Sequence, residues 1–264
     1  MFSAAVESTK GQAAMLAGIT SATSQGVNSN EGGVAVLSQF LWVIFPYLAL
    51  AVMIVGMFYR FAYGQRGWTS KSSEILEKKW LRRGSLLFHW GIILVFLGHV
   101  MGLLVPLRVY QALGVSSEFY HVNADVFGGI AGVVTFVGVL ILLLRRSLHS
   151  RVRANSSVSD YVALVMILIV IAIGTLETVG LNNIFGPYEY RTTIGPWVRE
   201  LMVLHPNAAL MKSVPWVLKV HILAAFTLFA VWPFTRLVHV FSLPVRYPWR
   251  APIQYRSRAR YHRD

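Results

Sequence analysis

The sequence contains no cysteine among its 264 residues. This absence excludes disulfide bonds, thiolate zinc sites and iron–sulfur clusters held by thiolates of this chain. Any redox centre in the chain therefore needs other ligands, and an iron–sulfur cluster would have to belong to another subunit.

Charged residues are scarce as well, at 13% of the chain, whereas soluble domains carry about a quarter. Hydrophobic residues make up 55% and gather in blocks long enough for a bilayer crossing, which takes about 20 residues as a helix. The blocks are too long for strands and lack the alternation of membrane strands. The sequence therefore predicts an all-α integral membrane protein with five transmembrane helices, near 38–59, 84–107, 125–144, 159–181 and 214–241.

Acidic residues number only 11 against 24 Lys and Arg, which gives a net charge of +13. Seventeen of the basic residues lie in the 60–83 and 145–158 connections and in the tail after Phe241, against six on the opposite side. This bias predicts an outside N-terminus and a cytoplasmic C-terminus. Because topology accounts for most of the charge, nucleic acid is a poor candidate partner, whereas anionic lipid or an acidic protein surface remains possible.

The regions outside the apolar blocks differ in composition. Residues 1–36 lack the basic start and apolar core of a signal peptide, and we expect a disordered extension there. Residues 37–241 form the predicted five-helix domain, and 242–264 form a basic cytoplasmic tail. The long outer connection at 182–213 has an amphipathic piece around 197–204.

Four histidines lie inside two of the apolar blocks, His89 and His99 in the second, and His221 and His239 in the fifth. Ionisable groups in a membrane are costly and usually face the bundle interior, where they pair or bind something. A single such histidine is a hydrogen-bonded structural residue about as often as it is a functional one. Four of them, with no acid in either block, favour a functional role. Neutral imidazole is an axial ligand of haem iron, and two imidazoles give a six-coordinate electron-transfer centre.

Depth in the membrane predicts how these histidines pair. The second span enters from the cytoplasm, so His89 lies about 8 Å in and His99 about 22 Å in, at 1.5 Å per residue. The fifth span enters from outside, so equal depth pairs His89 with His239 and His99 with His221. Ten residues rise about 15 Å and eighteen about 27 Å, so helix tilt or a kink at Pro233 has to absorb the difference.

Arg236 lies one turn before His239 at the cytoplasmic end of the fifth block. Haem propionates need a cation at such a place, which makes Arg236 a candidate for cofactor binding. The alternative is a snorkelling arginine at a helix end.

Four stretches resemble the gamma subunit of respiratory nitrate reductase, and the resemblance spans about 38–250. They are YGQRGW at 63–68, FHWGIILVFLGHVMGLL at 88–104, KVH at 219–221 and WPFTRLVHVFSLP at 232–244. The resemblance implies five helices, an outside N-terminus and two b haems. It implies that His89 and His239 hold the iron of the proximal haem, and His99 and His221 that of the distal haem.

The resemblance also implies a function in the cytoplasmic (inner) membrane of a prokaryote. Members oxidise quinol near the distal haem and pass electrons to an iron–sulfur beta subunit, then to a molybdenum alpha subunit that reduces nitrate. The nitrate-reducing site would not lie in this chain.

The residue that meets quinol is harder to assign. Some family members carry a lysine implicated in quinol binding in the loop after the second span, whereas this chain reads SSEFYHVNAD there. The candidates are Gly98, which leaves room beside His99, and His121 and Glu177, which can accept protons near the outer face.

Two other functions fit parts of the pattern. A related cytochrome b subunit serving heterodisulfide or sulfite reduction would use the same ligands, and the neighbouring genes would distinguish it. A haem-free transporter could relay protons through histidines, but few acids lie within the spans and no broken-helix repeat is visible. A reduced-minus-oxidised spectrum separates this last class from the other two.

Overall fold

The computed structural model describes residues 32–64 and 73–242, and in these ranges every regular element is helical. Five helices are long and apolar enough to cross a membrane, which confirms the predicted helical architecture. We call them the first to fifth spans: Gly32–Tyr63, Lys79–Leu104, Ser117–Leu148, Val158–Phe185 and Trp216–Phe234.

Three predicted segments fall wholly or partly outside the described residues. Of the predicted N-terminal extension, only residues 32–36 are described, and they are helical and belong to the first span. The basic tail lies outside the described residues from 243 onward, as do residues 65–72 of the basic 60–83 connection.

The fifth span is shorter than the 214–241 block suggested. Its α-helix ends at Val231, a 3-10 turn covers Trp232–Phe234, and a separate 3-10 helix follows at Arg236–Ser242. Proline has no N–H to donate and its ring clashes with the preceding turn, so Pro233 ends the helix rather than bending it. His239 therefore lies outside the regular part of the fifth span.

Glycines bring the second and third spans close together. A Cβ at Gly84 would lie 2.9 Å from Cγ2 of Ile141, and one at Gly138 would collide with the backbone N of Phe88. Small residues allow membrane helices to approach until their backbones nearly touch, which increases van der Waals contact where apolar burial offers little. This pair makes the most extensive contact among the described elements.

The remaining packing leaves a separation between the two histidine-bearing helices. The third span packs on the fourth, the fourth on the fifth, and the fifth on the first, whereas the second and fifth spans have almost no close backbone contact within the described ranges. Val139, Ile167, Ile171 and Leu228 form a buried core between the third, fourth and fifth spans. The second and fifth spans are thus held apart at a defined spacing.

A cap covers the ends of the spans on the side where the first span begins; following the predicted orientation, we call these the outer ends and the opposite ends the inner ends. It contains the helix Ile194–Met202, which overlaps the amphipathic piece predicted at 197–204. Trp197 is fully buried and its Nε1 donates to the carbonyl oxygen of Trp42 at 2.9 Å, while the hydroxyl of Tyr47 donates to the carbonyl oxygen of Leu201 at 3.0 Å. These bonds fasten the cap to the first span.

Three spans contain a π-helical turn in their outer parts, at Phe40–Ile44, Val100–Leu104 and Leu176–Leu181. Such turns are rare and are often found at functional sites. One directly follows His99 and another contains Glu177.

The close approach at Gly138 predicts a cost for even a small side chain. Gly138→Ala should destabilise the protein by about 1–3 kcal/mol, because the methyl group must push the second span away from the third. Thermal unfolding in detergent measures the effect. Gly128→Ala, on the same helix, is the control, since its Cβ would meet only Cγ2 of Thr178, at 3.8 Å. Equal melting temperatures for the two variants would contradict the close contact.

Candidate functional site

The structure brings the four histidines together as two facing pairs. The ring centres of His89 and His239 are 6.4 Å apart with an interplanar angle of 66°, and those of His99 and His221 are 6.2 Å apart with an angle of 27°. These are the two pairs that the sequence predicted from the depth of each histidine in the membrane. The role of the rings as haem ligands stays a prediction.

Backbone carbonyls orient three of the four rings. The Nδ1 of His89 lies 2.7 Å from the carbonyl oxygen of Ser85, and the Nδ1 of His99 lies 2.8 Å from that of Val95. The Nδ1 of His239 lies 2.6 Å from the carbonyl oxygen of Arg236 in the same way. A carbonyl can only accept, so Nδ1 carries the proton in each ring and Nε2 keeps its lone pair. Histidines that bind metals are usually held like this.

A glycine opposite the ring of His221 leaves room for it. A Cβ at Gly174, on the fourth span, would lie 2.9 Å from Cε1 of His221. Any side chain at that position would push the ring, so the fourth span helps to set the outer pair.

The spacing of both pairs fits a metal ion between two imidazoles. A bond from a metal to an imidazole nitrogen is about 2 Å long, so a shared ion holds the two ring centres about 6 Å apart. Direct hydrogen bonding between two rings would bring them closer. The donor atoms and their spacing therefore suit haem iron with two axial imidazoles.

A groove of about 500 Å³ opens beside His89. It is lined by Lys78 and Arg82, by Ser85 and Trp90, and by the acid Glu74, whose Oε1 lies 3.4 Å from Nζ of Lys78. Positions 78, 82, 85 and 89 follow one another at spacings of four, three and four, which places them on one face of a helix. Sequence reasoning had missed Lys78 and Arg82 as cations beside the inner pair, although this spacing could have identified them.

Arg236 contacts a carboxylate that the sequence did not suggest as its partner. Its Nε lies 2.5 Å from Oδ1 of Asp160, which is buried at the start of the fourth span. Oδ2 of the same carboxylate accepts from Nη1 of Arg146 at 2.9 Å. The positive charge of Arg236 is thus compensated within the bundle.

The three quinol candidates have different surroundings. A Cβ at Gly98 would meet no atom within 4 Å, so the helix surface beside His99 is open. Glu177 is half-buried in the π-helical turn of the fourth span. His121 is nearly buried, and its Nε2 lies 3.0 Å from Oε2 of Glu189 in the cap.

Glu189 is the centre of an ionic network that sequence reasoning missed. Its carboxylate accepts two hydrogen bonds of 2.7 Å from Arg191 as well as the contact with His121. The buried guanidinium of Arg191 lies 3.8 Å from the ring centre of Tyr120. Burial by itself raises the pKa of Glu189, but the hydrogen bonds from Arg191 and His121 outweigh it and lower the pKa to about 2.

Comparison with known proteins gives a consistent result. Residues 38–258 match the family described as nitrate reductase gamma subunit. The chain is 48% identical over 221 residues to the nitrate reductase gamma chain of Bacillus subtilis, an alignment covering 84% of this chain and 99% of that protein. It is 34% identical over 212 residues to the respiratory nitrate reductase 1 gamma chain of Escherichia coli, covering 80% of this chain and 93% of that one.

The low pKa of Glu189 predicts acid sensitivity of the cap. A group whose pKa is depressed on folding stabilises the fold above its ordinary pKa, here 4.5, and this contribution is lost as pH falls from 4.5 toward 2. The free energy of unfolding should therefore fall more steeply over this window in the wild type than in Glu189→Gln. Denaturant unfolding in detergent, followed by tryptophan fluorescence, measures it. Parallel pH curves for the two proteins would contradict the assignment.

Proposed function

The chain belongs to the nitrate reductase gamma subunit family, and on that premise we propose that it is the diheme cytochrome b that oxidises quinol for a nitrate reductase complex. The observation that carries the proposal is the presence of two facing histidine pairs. They join the second span to the fifth span and to the 3-10 segment after it, although the second and fifth spans have almost no close backbone contact within the described ranges. Their spacing suits haem iron and leaves room for two cofactors across the membrane.

The chain's own residues would hold each haem from both sides. His89 and His239 would hold the inner iron, and His99 and His221 would hold the outer one. Once bound, the haems supply a one-electron relay between the two faces of the membrane. Arg82 would provide positive charge beside His89 for propionate groups, whereas Lys78 in the same groove is paired with Glu74. The apolar spans keep water away from the relay.

Quinol oxidation is proposed for the outer end, beside the pair of His99 and His221. The open surface at Gly98 lets a quinol ring approach the edge of the cofactor. Each quinol gives up two electrons and two protons, so an acceptor for the protons is needed nearby. His121 and Glu177 are the two titratable residues we propose for this role.

The direction of transfer follows from the proposed orientation. The seventeen-to-six distribution of basic residues supports a cytoplasmic inner end and an outside N-terminus. Electrons from quinol would then move inward while protons leave on the outer side. Turnover would build a membrane potential that is negative inside.

The proposed partners are an iron–sulfur beta subunit and a molybdenum alpha subunit on the cytoplasmic side of the inner membrane. This chain has no cysteine to hold a cluster, and its described residues form no catalytic domain outside the spans. The basic 60–83 connection, Arg236 and the tail after Phe241 are the surfaces we propose for docking.

The haem assignment predicts a defined stoichiometry. Purified protein should bind two haems per chain, and His99→Ala or His221→Ala should each remove one haem and leave the spectrum of the other intact. Haem extraction and reduced-minus-oxidised spectra measure both. His149→Ala, which changes a histidine outside the spans, should keep two haems. If both intramembrane variants also kept two, the pairing would be wrong.

The quinol assignment is tested by rates rather than by haem content. His121→Phe should retain both haems but slow their reduction by quinol, because the ring can no longer accept a proton. Stopped-flow reduction by a soluble quinol analogue measures the rate, and dithionite reduction gives total haem. Wild-type rates in His121→Phe, together with slow reduction in Glu177→Gln, would assign the role to Glu177 instead.

A further inference from the structure

A buried carboxylate at the inner end of the bundle has no part in the proposed function. Asp160 is 3% exposed and lies in the first turn of the fourth span. Its Oδ2 accepts from the backbone N–H of Ser157, which caps the helix, and from Arg146, while its Oδ1 contacts Arg236. One carboxylate thus links the third and fourth spans to the chain that follows the fifth.

Arg236 connects this carboxylate to the inner histidine pair. It begins the 3-10 helix Arg236–Ser242, and its carbonyl oxygen accepts the Nδ1 proton of His239. A single turn of backbone therefore separates the ion pair from the imidazole. A displacement of Arg236 has to move the ring that its own carbonyl orients.

Other contacts also position the start of this short helix. Pro233 has ended the fifth span, so no continuous helix transmits its position to His239. The carbonyl oxygen of Pro233 accepts from Nη1 of Arg60 on the first span, at 2.9 Å. Leu237 and Val238 are buried and hold the next turn. The contact of Arg236 with Asp160 adds an ion pair to these anchors.

We propose that Asp160 is a positioning residue for the inner cofactor site, which acts through Arg236 to aim His239 at His89. The inference rests on the proposed function, since it assigns the inner pair to a haem. Asp160 touches neither ring and is not a ligand. It sets the orientation of one ligand and compensates two arginine charges close to it.

The charge of Asp160 predicts the direction of the effect. Replacing it with Asn removes one negative charge that contacts both Arg146 and Arg236, and Arg236 lies three residues before His239. Reduction of a haem adds an electron, and nearby positive charge in a medium of low dielectric constant stabilises the reduced form. The midpoint potential of the inner haem should therefore rise, and its ligand geometry should change because Arg236 loses its anchor.

The test compares Asp160→Asn with Glu77→Gln. Glu77 is an acid at the same end of the bundle. It contacts the buried guanidinium of Arg145 at 2.8 Å, which is a different arginine from the two that contact Asp160. Redox titration and low-temperature EPR of the whole protein in detergent give the potential and signal of each haem. His99→Ala, which should keep only the inner haem, assigns the signals.

Asp160→Asn should shift the potential of the inner haem upward and alter the EPR signal of that haem alone, whereas Glu77→Gln, which removes an acid paired with Arg145, should leave both EPR signals unchanged. Unchanged signals in Asp160→Asn, or equal shifts of both haems, would overturn the proposal. If Asp160→Asn does not accumulate, Asp160→Glu carries the test, because it keeps the charge but displaces Arg236. It should then alter the inner EPR signal, and an unaltered signal would overturn the proposal. A wild type without haem would instead refute the proposed function itself.

Discussion

Two chain segments that carry facing histidines at two depths must match the distances between those histidines. Ten residues separate the histidines on the second span and eighteen separate those near the fifth, which as ideal helices would rise about 15 Å and about 27 Å. The structure satisfies both pairs because the helix stops at Pro233 and His239 lies on a separate 3-10 segment. The position of His239 is then set by its contacts rather than by helical rise.

Because the helix ends at Pro233, other contacts at the inner end of the bundle must position His239. A segment that no longer belongs to a span has to be held by neighbouring elements, and here a buried carboxylate and two arginines do so. Removing one partner of a buried ion pair lowers the stability of the fold, because the other charge is left unpaired where water does not solvate it. The outer pair has no such need, because His99 and His221 both lie on continuous helices.

The sequence allowed the spans and the histidine pairs to be predicted, because both follow from short-range rules of length, hydropathy and depth. The helix face that carries Lys78 and Arg82 could also have been predicted from the spacing of these positions. The contacts of Asp160 with Arg236 and of Glu189 with His121 were not, because the partners are far apart in sequence and only the packing of the bundle brings them together. The early end of the fifth helix was missed because Pro233 was given the role of a kink and not of a stop.

The arrangement of the pairs has a consequence for biogenesis. Each pair joins an imidazole of the second span to one that is synthesised more than a hundred residues later. Neither pair can form before the ribosome has made the fifth span and the segment after it, so loading of the proposed haems has to follow the synthesis of this part. The glycine contacts between the second and third spans can form earlier. They give the nascent protein a first folded unit in the membrane before the two histidine pairs are complete.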